Sequence, residues 1–427
     1  MSAAPDSAPV AAIGTLVPLR LVAIPMVAGL GAEVVGWAVI AGAAPLNAGW
    51  YGWPSLLVGV HLVAIGGLVL PVVGAGWQLA PVVVARPLPP GLARLAGHVG
   101  PAAVLGALLL WIGMAGARWV GAIGALLVIG ALITRSAGLV PLLWRGLSGA
   151  RGRVGIRLWL LAAEGCLWGG LGYATVLYAG RLGHPVLADP IGGVGHHVAL
   201  LAVGWIGGWV IGLGALLLPM FALGREPPAG AFVLAGLAWF GGLMVGSVML
   251  WAAGAALAAG LLLHALIGGA RAKATLQTRG PGLTQAGLAL VGLLGVAIGA
   301  ATGALTGPAL VAGVAAAWLL PLQHGVALRV VPFLLWAHLL AGRPGPAPAT
   351  LTSTPAGWAQ VAATAVGGAL LVGGLAAALE GVARAGAALL AVGAALHMVT
   401  VMGAGARAAL AWRAAVALPG TRAGTRA

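Results

Sequence analysis

Apolar positions in this chain neither alternate nor collect into one amphipathic stripe. They run in long uninterrupted blocks, separated by short knots of Pro, Gly and Arg. A helix rising about 1.5 Å per residue crosses the roughly 30 Å of bilayer hydrocarbon in about 20 residues. The blocks therefore predict about twelve spans, at 16–43, 54–85, 95–116, 119–146, 155–179, 194–223, 229–251, 253–271, 283–305, 308–341, 356–379 and 383–406. Turns are predicted at "RPLPPG" (86–91), "REPPAG" (225–230), "TRGPG" (278–282) and "GRPGPAPATLTSTPAG" (342–357), where Pro and Gly punctuate the pattern. The break between the seventh and eighth spans is the least marked.

The pattern also repeats. "HLVAIGGLVLPVVGAGWQLAPVVVAR", "HVALLAVGWIGGWVIGLGALLLPMFALGR" and "GVAAAWLLPLQHGVALRVVPFLLWAHLLAG" superpose on a late proline: Pro81, Pro219 and Pro332. Gly74, Gly212 and Gly325 each stand seven residues before it. Trp205 and Trp318 stand fourteen before it, where the first copy has Gly67. These are the second, sixth and tenth spans, so each copy leaves room for four helices. The expectation is an all-α polytopic membrane protein, its twelve transmembrane helices in three pseudo-threefold four-helix arcs. One integral membrane domain would cover 1–427, with arcs at roughly 1–150, 151–275 and 280–415 and short polar tails at both ends. Parallel repeats of this kind place binding sites between the copies.

Composition sharpens this picture. Of 427 residues, 61% are hydrophobic and only 6% charged, too few to cover the surface of a soluble domain. Mean hydropathy is +1.09. Neither a soluble domain nor a signal peptide is expected. The net charge of +15 is no nucleic-acid footprint, because the arginines sit at span ends. Arg86, Arg94, Arg145, Arg151, Arg153, Arg157, Arg225, Arg271, Lys273, Arg279, Arg343, Arg407 and Arg413 fall on one side, and Arg118 and Arg181 on the other. The positive-inside rule then puts both termini in the cytoplasm of a multi-pass protein of the cell inner membrane. Trp50, Trp53, Trp119 and Trp144 fit an interfacial belt. Cys166, the single cysteine, excludes an internal disulfide.

Candidate chemistry lies in the few ionisable groups inside the spans, where such groups are costly and mark function by default. Glu33 and Glu164, on the first and fifth spans, are candidates for a proton relay or a salt bridge. Arg135 and Arg329, near inner ends, are expected to snorkel. His61, His196 and His197 lie at nearly one level in the outer third, by their distance from the late prolines. His324 lies roughly 18 Å deeper than His61. Neighbouring helical residues point about 100° apart, so His197 is expected inward and His196 at the headgroups. His264 and His397 occupy equivalent positions on the eighth and twelfth spans. His98, His184 and His338 are expected at the ends of spans or in a loop.

Twelve helices in three arcs, with a histidine near the outer start of the second, resemble the heme–copper oxidase superfamily subunit I. The likeness is closer to its divergent bacterial relatives, through "HLVAIGGLVLPVVGAGWQLAPV", "HVALLAVGWIGGWVIGLGALLLPMF" and "RVVPFLLWAH". The resemblance implies a b-type heme and copper, with His61, His197 and His324 binding a cofactor and His61, His196 and His197 available to a metal. It also implies a redox partner protein and a role in electron transfer or nitric-oxide or oxygen-related redox chemistry. The sixth span has no His-x-x-x-Tyr, the seventh has no His, and the tenth has no His-x-His. A complete dioxygen-reducing centre is therefore not expected. The alternatives are a cofactor-free transporter or structural membrane subunit that kept the fold, and a protein resembling the NnrS family of nitrosative-stress membrane proteins.

Overall fold

The late prolines, repeat glycines and long apolar runs are arranged in a computed structural model that describes residues 16–43, 46, 54–145, 153–272 and 280–417. Arg151, Lys273, Arg279, Trp50, Trp53 and the Arg271 side chain lie outside what it describes. The twelve long helices are α1 Arg20–Gly42, α2 Pro54–Val84, α3 Pro90–Met114, α4 Arg118–Arg145, α5 Val154–Arg181, α6 Pro190–Ala222, α7 Ala229–Val245, α8 Val248–Ala272, α9 Pro281–Ala301, α10 Gly307–Leu339, α11 Thr354–Ala376 and α12 Glu380–Ala417. Eleven are long and apolar enough to cross a membrane, and α7 is a shorter apolar helix. No strand occurs among the described residues. The chain is an all-α, multi-pass membrane protein.

The α7–α8 boundary differs from the expected break near 252. Gly246, at φ +69°, ends α7 in the left-handed conformation that glycine adopts without strain. Ser247 Oγ then accepts the Leu250 N–H at 3.2 Å and caps α8. The signal was the dipeptide Gly-Ser, not the small-residue run after it.

Helix packing repeats three times. The first two helices of each arc pack together: α1 on α2, α5 on α6, α9 on α10. The last two form close antiparallel hairpins, α3–α4, α7–α8 and α11–α12. Adjacent arcs meet through equivalent helices, α4 on α5, α8 on α9 and α12 on α1. The repeat glycines explain the register within each arc. A Cβ on Gly74 would meet Val22 and Pro25 of α1, one on Gly212 would meet Leu160 and Trp159 of α5, and one on Gly325 would meet Gly282 and Ala286 of α9.

The centre belongs to α2, α6 and α10, which pack against one another pairwise. Their most apolar stretches are 61%, 78% and 67% buried, against 39–50% for the other long helices, whose outer faces must meet lipid. Each carries a π-helical stretch: Leu62–Val69, Ala199–Gly207 and Gly313–Leu319. Counted back from Pro81, Pro219 and Pro332, these begin at 19, 20 and 19 residues and end at 12, 12 and 13. The π turns thus share one height in the three copies. Such wide turns occur often at functional sites, and His61 immediately precedes the first.

Candidate functional site

A cavity of about 110 Å³ lies between the three central helices and α1, and α12 reaches it through His397. Its wall is mainly aliphatic, from residues such as Met26, Leu30, Val72, Leu213 and Val330. The titratable groups on that wall are Glu33 of α1, His324 of α10 and His397 of α12.

Glu33 and His324 form a buried pair. Nε2 of His324 lies 3.0 Å from Oε2 of Glu33, with side chains 6% and 3% exposed. Gly67 makes room for the acid: a Cβ there would lie 3.0 Å from Glu33 Cγ. The other two copies carry Trp205 and Trp318 at this position, both fully buried. The first copy thus exchanges an indole for a carboxylate. The His324 ring stacks on His397, with centroids 4.0 Å apart. Nδ1–H of His397 donates to Oε1 of Gln360 at 3.1 Å, and Nε2–H of Gln360 donates to Oε1 of Gln285 at 2.8 Å. A polar chain therefore runs from the cavity through α12 and α11 to α9. Gln323, also on the wall, donates Nε2–H to the Leu68 carbonyl at 3.3 Å, while its Oε1 is buried without a partner.

Across the cavity stands Trp209 of α6, whose Nε1–H donates to Glu164 Oε1 at 2.7 Å. Arg135 Nη1 reaches the same oxygen at 2.8 Å. The Arg135 guanidinium also lies over the Trp209 ring, 4.3 Å from its centroid. This corrects the expectation for Arg135: it does not snorkel but is 0% exposed. Glycine makes the difference, because a Cβ on Gly76 of α2 would collide with Arg135 Nη2. Glu164 accordingly sits in a salt bridge that joins the first arc to the second, as Glu33–His324 joins the first to the third.

The outer histidines form a separate group. Nδ1–H of His61 donates to the Leu57 carbonyl at 3.0 Å, and Nδ1–H of His197 to the Gly170 carbonyl at 3.3 Å. Both are half-buried, and His61 lies near His197 and Arg181. His196 is exposed, stacks on Tyr173 and bonds the Gly192 carbonyl at 2.8 Å. His324 does not join this group, since its partners are Glu33 and His397. His264, the repeat counterpart of His397, is exposed, as are His98 and His184. His338 faces two carbonyls, of Leu334 and of Val17.

No family model and no curated protein matches this chain. The cofactors must therefore be tested against the residues themselves. A heme with two axial histidines needs them on opposite faces of the macrocycle. The two histidines on the cavity stack face to face, and each has a ring nitrogen committed to a neighbour. His61 and His197 do not line that cavity. A bis-histidine heme does not fit this arrangement. For copper, His61 and His197 each anchor Nδ1 on a backbone carbonyl, an arrangement that leaves Nε2 free to ligate. Among the described residues no group of three or more His, Cys, Asp or Glu could hold a metal. The sequence reading did not single out Gln285, Gln323 and Gln360. Their signal was simply a neutral polar residue inside an apolar span.

Proposed function

We propose that this chain is a proton-exchanging carrier of the cell inner membrane, with Glu33 and His324 as the exchanging pair. One observation carries the reading: a carboxylate and an imidazole meet at 3.0 Å in the wall of a cavity between repeated helices. Burying ionisable groups is expensive and gives little net stability, so their presence needs a functional account. Carriers built from repeats hold substrate and coupling proton at this interface. Both termini face the cytoplasm, by the distribution of arginines. The test is proton flux into vesicles that contain the purified protein and a trapped pH dye. A pH gradient should collapse faster than in protein-free vesicles, and Glu33→Gln should return the rate to that background. Equal rates for wild type and Glu33→Gln would refute the reading.

A second reading is favoured by the anchored Nδ1 atoms of His61 and His197. It keeps the kinship with the heme–copper oxidase superfamily and gives the outer pair a copper ion, with a redox partner protein at the membrane surface. Copper there would supply one-electron chemistry. Metal analysis of protein from copper-replete cells tests it: about one copper per chain is expected from two oriented imidazoles, and His61→Ala should remove it. Metal-free protein would end this reading and leave the first intact.

A further inference from the structure

Resting on the carrier reading, the chemistry of the cavity points to its substrate: we propose a compact alkylammonium ion, taken up in exchange for one proton. Three features of the wall lead there.

The first is size. The cavity measures about 110 Å³, and an apolar cavity of about 150 Å³ holds benzene. The occupant is therefore smaller than benzene, with an aliphatic body to match the aliphatic wall.

The second is polarity. The polar groups at the Glu33 end are acceptors. Gln323 Oε1 is buried and unpartnered, and its orientation is fixed because Nε2–H must face the Leu68 carbonyl. Glu33 supplies carboxylate oxygens. Of the donors there, Trp209 Nε1–H is committed to Glu164 and one Gln323 Nε2–H to Leu68. A ligand head that donates several hydrogen bonds completes this wall, and a primary ammonium does so.

The third is charge. Glu33 and His324 sharing one proton between them are neutral together, whether that proton sits on oxygen or nitrogen. Adding a cation to this largely buried, apolar site would leave a net charge there, at high cost. Release of the shared proton to water leaves Glu33 as carboxylate and His324 neutral, and the ammonium restores neutrality. One cation enters, one proton leaves, and no covalent bond of the ligand changes. His397, stacked on His324, is the other titratable group on the wall, and α2 and α6 contribute none there.

The experiment is calorimetric titration of n-propylammonium into the purified full chain, in two buffers of different ionisation enthalpy. The expected result is saturable binding that releases about one proton per cation and tightens as pH rises, as linkage requires. Glu33→Gln should abolish binding. Gln323→Leu should weaken it about ten-fold, as expected for losing a hydrogen bond to a charged group. Ala75→Leu, which narrows the cavity, should block the amine, so that added amine no longer speeds collapse of the pH gradient. No binding, binding without proton release, or binding undiminished in Glu33→Gln would overturn the inference. Absent amine binding with intact Glu33-dependent proton flux sinks the substrate alone. Absent flux with coupled amine binding sinks the carrier reading alone.

Discussion

Two buried polar pairs in one apolar core have different neighbours and so different consequences. Glu33–His324 borders a cavity. Arg135–Glu164 is packed beneath Trp205 and Trp209, with both partners essentially fully buried. Removing one partner of such a pair leaves a stranded charge. Arg135→Met should therefore destabilise the protein by roughly 3–5 kcal/mol, read as a lower Tm by tryptophan fluorescence in detergent. Adding Glu164→Gln should recover most of that loss, because a glutamine oxygen still accepts the Trp209 N–H and no charge remains. A single variant as stable as wild type would show that the pair is not closed to water. At this scale the sequence spoke clearly about type and poorly about direction. Glu33 and Glu164 stood out as lone acids in apolar spans. The partners of both depend on helix rotation, which no single span reveals. Arg135 read as a snorkelling residue because it lies near a span end, and only Gly76 on a distant helix reverses that.

Helices in lipid gain little from hydrophobic contrast with their surroundings, so close packing on small residues holds them together. The terminal hairpins of the arcs follow this rule. A Cβ on Gly124 of α4 would run into the Leu110 backbone of α3, one on Gly254 of α8 into the Trp239 backbone of α7, and one on Gly386 of α12 into the Leu371 backbone of α11. Gly386→Leu should thus force α11 and α12 apart, at a cost of about 1–3 kcal/mol or more. Gly295 of α9 is exposed, and a Cβ there would meet nothing within 4 Å, so Gly295→Leu should change stability by less than about 0.5 kcal/mol. Thermal unfolding of the two variants side by side decides the matter: equal stability would mean that the hairpins do not depend on glycine contact. Helix positions were legible from the length of the apolar runs. The π turns were not, because a wide turn leaves no mark on an unbroken apolar run.

Over the whole molecule, charge and repetition act together. In the proposed orientation the arginines at span ends face the cytoplasm, and twelve crossings would return the chain to its starting side. A fluorescent protein fused after Ala427 should therefore fold and emit in the cytoplasm, while alkaline phosphatase at that position stays inactive. Active phosphatase there would invert the topology. The repeat was visible because three prolines and three glycines keep their spacing. The cavity was not, since it lies where α1, α2, α6, α10 and α12 converge and depends on distances between helices.

The matched height of the three π stretches bears on how the protein arose. Each stretch holds surplus backbone relative to an α-helix, and three independent insertions at one level would be a costly coincidence. A single ancestral four-helix unit that already carried the surplus explains all three. Alone in a bilayer, that ancestor would have left the face now shared by α2, α6 and α10 without a protein neighbour. A homotrimer would have covered that face, and in the present chain the copy with Gly67 where the others have tryptophan is the one that admits an acid.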